Sequence, residues 1–176
     1  MRTRSIVAAA ASLILITSSA SAQEKPIQLS LFNPVQIVPE DQGVSAIRLN
    51  LIYTKNASMT GFDIGLVNKT TGDGLGVMWA GVAMTDGNFT GWKGAFVGVV
   101  GGDFIGWQEG FVNVVDGRLK GLQTGLYNST GHCNGLQIAL VNTTDTMEGI
   151  QIGLLNFIKT GGAFRFFPIV NWSFPD

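Results

Sequence analysis

One cysteine and one histidine in 176 residues exclude a good deal of chemistry. A lone thiol, Cys133, forms no intramolecular disulfide, so stability has to come from packing and backbone pairing. Cys133 and His132 fall short of the four protein ligands that a structural zinc takes. There is no Gly-x-Ser-x-Gly elbow and no phosphate loop ending in Gly-Lys-Ser/Thr. No catalytic residue, no cofactor site and no metal site is therefore predicted. Charge is scarce too, at 13% of residues with a formal net charge of −1. Such a chain has no basic surplus to set against nucleic-acid phosphates. With 45% hydrophobic residues it is not a disordered chain either. Five prolines against 24 glycines, and no long helical period, point to an all-β protein rich in turns.

Long apolar runs are missing as well, with one exception. Arg2 and Arg4 precede an apolar stretch from Ile6 to Ile16, and Ala20-Ser21-Ala22 follows just before Gln23. The stretch is too short to span a bilayer as a helix, which takes ~20 residues. A basic start, a short apolar run and a small-x-small site make residues 1–22 a secretory signal peptide, with export expected. Residues 23–176 then form a single all-β repeat domain: an N-terminal cap at 23–45, repeats at 46–160 and a C-terminal cap at 161–176.

What is present is a period. The glycines Gly61, Gly76, Gly91, Gly106, Gly121, Gly135 and Gly149 recur at spacings of 15 and then 14 residues. Four places after each stands a small residue: Gly65, Ala80, Ala95, Gly110, Gly125, Ala139, Gly153. Seven places after stands Asn in five copies: Asn68, Asn113, Asn128, Asn142 and Asn156. The pairs Trp92/Phe96, Trp107/Phe111, Leu122/Leu126 and Leu136/Leu140 alternate with other residues in the manner of a strand. Turn chemistry follows each strand, as at Asp86-Gly87, Gly101-Gly102 and Asp116-Gly117. Fixed columns at a fixed period mark a repeat architecture.

Two architectures fit. In a β-solenoid-like stack each unit is one coil, and equivalent positions stack ~4.8 Å apart. That arrangement predicts an Asn ladder, a file of Gln108, Gln123, Gln137 and Gln151, and Arg48 stacked on Asp63. The alternative is an up-and-down antiparallel β-barrel, for which Asp-Gly and Gly-Gly supply the hairpin turns. Uniform units with uniformly short turns favour the solenoid, since outer-membrane barrels alternate short turns with long loops. The Trp92, Trp107, Phe96 and Phe111 face would then be protein core, or lipid-facing in a barrel. Glu109 breaks that apolar alternation in either case. Cys133 shares a column with Phe89, Phe104, Leu119 and Met147, which predicts a small apolar core filler. His132 points the other way, as neighbours in a strand do. The turn aspartates Asp73, Asp86, Asp103, Asp116 and Asp145 are expected to cap their own backbone in water.

Gly121-Leu122-Gln123-Thr124-Gly125-Leu126-Tyr127-Asn128 and the units opening at Gly135 and Gly149 resemble the bacterial surface-repeat proteins built of GLQxGLxN units. Leu31-Phe32-Asn33-Pro34 and residues 167–172 resemble their flanks. The resemblance implies a cell-envelope or surface location, with no activity or catalytic residue to carry over. The expected function is a structural or adhesive role without catalysis, and the alternative is a small outer-membrane barrel acting as anchor or pore. The aromatic segment with Phe164, Phe166, Phe167, Trp172 and Phe174 is the expected contact with the outer membrane or another envelope protein.

Overall fold

A computed structural model describes residues 24–174, so the leader expected at 1–22 lies outside the described residues. The described residues hold ten strands and no helix. In chain order they are β1 Lys25–Phe32, β2 Val35–Gln36, β3 Val44–Asn56, β4 Met59–Thr70 and β5 Gly74–Thr85. Then follow β6 Phe89–Val100, β7 Phe104–Thr124, β8 Tyr127–Ile138, β9 Val141–Ile158 and β10 Phe166–Ser173.

Successive strands pair in parallel from β3 to β9, and each is displaced by one repeat. Gly61 lies beside Gly76, Gly76 beside Gly91, and Gly91 beside Gly106. Hydrogen bonds at the turns also run from coil to coil: Gly87 N–H donates to Gly72 O at 3.1 Å, and Gly102 N–H to Gly87 O at 3.0 Å. Hairpin turns would close on themselves. The chain is therefore a β-solenoid of about 9 turns, and the up-and-down barrel is excluded, because its neighbours must be antiparallel.

Counting each coil from its recurrent glycine as position 0, and letting the 14-residue coils skip one position in the 10–11 bend so that paired residues share a number, straight runs cover positions 1–3, 6–9 and 12–14. Bends fall at the glycine, at positions 4–5 and at 10–11. The glycine bend demands glycine. Gly121 has φ 135°, and a Cβ there would stand 2.1 Å from the Gly106 carbonyl oxygen.

The interior is mostly polar. Position 2 is buried in each coil from Asp63 to Gln151, and so is position 7 from Asn68 to Asn156. Gln123, Gln137 and Gln151 each donate to the glutamine one coil earlier, at 3.0, 2.8 and 2.9 Å. Asn113, Asn128 and Asn142 each donate to the asparagine one coil later, at 2.9, 3.1 and 2.9 Å. The two ladders run with opposite polarity. Each ends on an oxygen without a hydrogen-bond partner among the described residues, Gln151 Oε1 in one and Asn113 Oδ1 in the other. Both expected ladders are present, and an in-register stack explains them, since a side-chain amide can satisfy its own copy above and below.

Position 13 supplies the largest file of the apolar core, through Phe89, Phe104, Leu119, Cys133 and Met147, and position 9 joins it with Val100, Val115 and Ile158. The Phe89 and Phe104 rings stack with centroids 5.7 Å apart. Cys133 is fully buried in this file, and burial pushes its thiol up to about 12. His132 turns outward and meets Thr146 Oγ1 at 2.7 Å. The core-filler expectation for Cys133 holds.

The early coils carry charge inside. Arg48 stacks on Asp63 as expected, with Nε to Oδ1 at 2.8 Å and Nη2 to Oδ2 at 2.5 Å. Arg48 also donates to Lys69 O and Thr70 Oγ1, and Asn68 donates to Asp63 Oδ1 at 2.7 Å. Two coils on, Lys93 is fully buried with Nζ 2.7 Å from Thr85 Oγ1 and 4.6 Å from the centre of the Phe89 ring. Burial lowers its pKa from 10.5 to about 7, and the Asp63 charge two coils earlier offsets this only in part.

The two ends differ from the repeats. β1 adds a parallel coil against β3, and β2 folds back antiparallel on β1 after the cis Asn33–Pro34 bond. At the far end β10 lies antiparallel on β9. Pro168 and the register shift between Phe167 and Ile169 interrupt its free edge, which blunts further strand addition.

Candidate interaction surface

Because the polar columns point inward, the apolar columns point out. Phe96 is 61% exposed and Phe111 55%, while Trp107 is exposed and Trp92 half-buried. The expectation that this face is solenoid core is overturned. The alternation is present with the opposite parity, because stacked amides can satisfy one another inside. Glu109 is explained by the same inversion. It stands at position 3, on the outside, where a carboxylate reaches water.

Three outer columns make up this surface. Position 1 carries Phe62, Val77, Trp92, Trp107, Leu122, Leu136 and Ile150. Position 5 carries Leu66, Phe96, Phe111, Leu126, Leu140 and Leu154, with Gly81 as its gap. Position 3 starts with Ile64 and Trp79, is interrupted at Gly94, Glu109 and Thr124, and resumes with Ile138 and Ile152. Neighbouring aromatics touch along the stack, Trp92 with Trp107 at 6.4 Å and Phe96 with Phe111 at 5.1 Å between centroids. Past the bend, position 6 continues the surface with Val67, Val82, Val97, Val112, Tyr127, Val141 and Leu155.

The bend between these two sides is convex. A Cβ on Gly65 would lie 2.4 Å from Asn68 Oδ1, and one on Gly125 would lie 3.1 Å from Asn128 Oδ1. Inner side chains crowd there, so the outer ones splay. Shallow apolar grooves open between the splayed columns. One of about 460 Å³ is lined by Trp79, Phe96, Phe111 and Leu126 with Glu109 at its side, and one of about 720 Å³ by Leu29, Leu31, Ile37, Leu49 and Leu51.

The third side is different in kind. Position 12 presents Asp73, Asn88, Asp103, Arg118 and His132, and the adjoining bend presents Asp86, Asp116 and Asp145. Asp73 and Asp103 do not cap their own backbone as expected. Asp73 Oδ1 accepts from Asn88 N–H at 2.7 Å, Asn88 Oδ1 from Asp103 N–H at 2.8 Å, and Asp103 Oδ1 from Arg118 N–H at 2.8 Å. Each caps the coil after its own. Leu75 and Ile105 are the exposed apolar exceptions on this side.

The C-terminal aromatics add to the exposed surface. Phe164, Phe166, Phe167, Trp172 and Phe174 are exposed, while Asn171 alone in β10 is buried. Five of the six Asn-x-Ser/Thr sites, Asn56, Asn68, Asn128, Asn142 and Asn171, have buried side chains, which closes them to glycans. Among the described residues no group of three His, Cys, Asp or Glu is placed to hold a metal ion. What the geometry assembles is an extended exposed apolar surface along the stack. No family model, no curated protein and no solved structure matches the chain.

Proposed function

We propose that this chain is an exported bacterial envelope protein whose solenoid serves a structural or adhesive role by presenting its outer columns to another component of the envelope. The observation that carries the reading is the exposed apolar surface running from Ile47 and Leu49 in β3 to Ile152 and Leu154 in β9. Contiguous exposed apolar patches beyond a few hundred Å² mark interaction sites in soluble proteins. Here the apolar columns recur coil after coil, outside an interior that is already filled by amides and by the side chains of positions 9 and 13. The aromatic segment around β10 extends the same contact surface. Location in the envelope is supported by the leader pattern at residues 1–22 and by the likeness to surface-repeat proteins.

The test is fractionation of a bacterial host that expresses the whole chain. The expected outcome is a processed protein beginning at Gln23, recovered with the cell envelope. A chain that keeps Met1 and stays in the cytoplasm overturns the reading.

A further inference from the structure

We infer that the two apolar sides meeting at the bend of positions 4 and 5 seat in one leaflet of a phospholipid membrane, with the solenoid axis in the membrane plane and the third side in water. The inference rests on the envelope reading and names the partner of its surface.

Shape selects lipid over protein. The apolar surface covers two sides and wraps the convex bend between them, where Phe96, Phe111 and Leu126 stand exposed. A flat partner would cover one of those sides and leave the other wet, and so would a second copy of this chain, which is convex at the same bend. Mobile acyl chains follow both sides, and they fill shallow grooves of unequal size such as those of about 460 and 720 Å³.

Charge sets the orientation. The outward charges on the apolar sides of the coils are Glu109, Lys55 and Lys69, and the two lysines pair with Glu40 and Asp86. On the third side and its bend, Asp73, Asp86, Asp103, Asp116, Arg118 and Glu148 run along the stack and are exposed. An axis along the membrane normal would place that charged file in hydrocarbon, where each charge is costly. An axis in the plane leaves it in water. A side of three or four residues is ~10–13 Å across at ~3.3 Å per residue, comparable to the ~5–10 Å depth at which interfacial amphipathic helices sit. Backbone groups inside the leaflet must be satisfied by the protein itself, and the parallel ladders from β3 to β9 do this.

Glu109 interrupts position 3 and is an ionisable group on the seated surface, so it opposes deep seating. The experiment uses the purified chain with vesicles of phosphatidylethanolamine and phosphatidylglycerol. The chain should float with the vesicles, and lipids brominated on the acyl chains should quench its tryptophan fluorescence through Trp79 and Trp107. Phe111→Asp together with Leu126→Asp should weaken binding by about tenfold or more, with circular dichroism unchanged because both side chains are exposed. Glu109→Leu should strengthen binding, and Asp116→Asn on the charged bend should leave it unchanged. The inference is overturned if the wild-type chain stays unbound and unquenched, pairs with itself in place of lipid, or loses as much binding from Asp116→Asn as from the apolar variants. Should the double variant misfold, quenching of the wild type decides alone. An unexported chain that still binds vesicles would overturn only the envelope reading. An exported chain that is neither quenched nor retained after a carbonate wash would overturn only this inference.

Discussion

The two halves of the interior solve one problem differently. In the late coils, β7 to β9, position 2 is glutamine throughout and position 7 is asparagine throughout, and each amide bonds to its copy in the next coil. In the early coils position 2 reads Arg48, Asp63, Met78 and Lys93, and position 7 passes through Ala83 and Gly98. The late half is held by repetition, where any coil can replace its neighbour. The early half is held by specific partners. An ion pair joins β3 to β4, and a solitary ammonium, that of Lys93, is held by Thr85 Oγ1 and the face of the Phe89 ring. A solenoid thus tolerates a polar interior in two ways, by self-complementary columns or by one matched pair.

The largest effect is expected where the match is unique. Asp63→Ala leaves the Arg48 guanidinium buried without its carboxylate, and removing one partner of a buried pair costs ~3–5 kcal/mol. Urea unfolding followed by circular dichroism measures it. Replacing both partners, Arg48→Met with Asp63→Leu, should cost far less, because no orphaned charge remains. Equal losses for the single and the double variant would show that the pair is ordinary packing.

Lys93 should behave in the opposite sense. Its folded pKa, about 7, lies below the ordinary 10.5 of the unfolded chain. Below pH 7 both states carry the proton and the full penalty applies. Between about 7 and 10.5 only the unfolded chain is protonated, so stability rises with pH across that window. Lys93→Met should raise stability at pH 7 by an amount on the order of a few kcal/mol and flatten the rise. Melting temperatures of the two proteins across that window give the comparison.

In the late half a single break is milder. Gln137→Leu removes the donor to Gln123 Oε1 and the acceptor of Gln151 Nε2, yet Gln151 keeps its bond to Phe157 O at 3.1 Å. A loss of ~1–3 kcal/mol is expected in the same urea titration.

These contrasts also separate what the sequence disclosed from what it hid. The stack was legible because identical residues recur at one period: the Gln file, the Asn file, and the pairing of Arg48 with Asp63 follow from register alone. Cys133 was legible from the apolar residues in its column. The direction of the columns was not. Trp92, Phe96, Trp107 and Phe111 read as core under the ordinary rule that apolar side chains go inside, and that rule fails where stacked amides satisfy each other. A usable signal was there. The late position-2 and position-7 columns keep one residue type, as a geometric pairing requires, whereas position 1 varies freely among Phe, Val, Trp, Leu and Ile. Glu109 was the other pointer, since a carboxylate among apolar residues at outward parity needs no buried partner.

The smallest effect should come from removing a whole coil. Residues 121–134 contain no Asp, Glu, Lys or Arg, and their deletion sets Gln108 beside Gln137 and Asn113 beside Asn142. Leu119 then meets Met147, so the amide ladders and the apolar file all close again across the cut. Each coil contacts only its neighbours, so what is lost is about one coil's share of stability, ~1–2 kcal/mol at ~0.05–0.15 kcal/mol per residue. The same cut at residues 61–75 removes Asp63 and sets Arg48 against Met78, which brings back the orphaned charge. The first deletion should give a folded product that melts cooperatively in circular dichroism. The second should be destabilised about as much as Asp63→Ala. If both deletions cost the same, the late half is not interchangeable, and its ladders would have to be as specific as the ion pair.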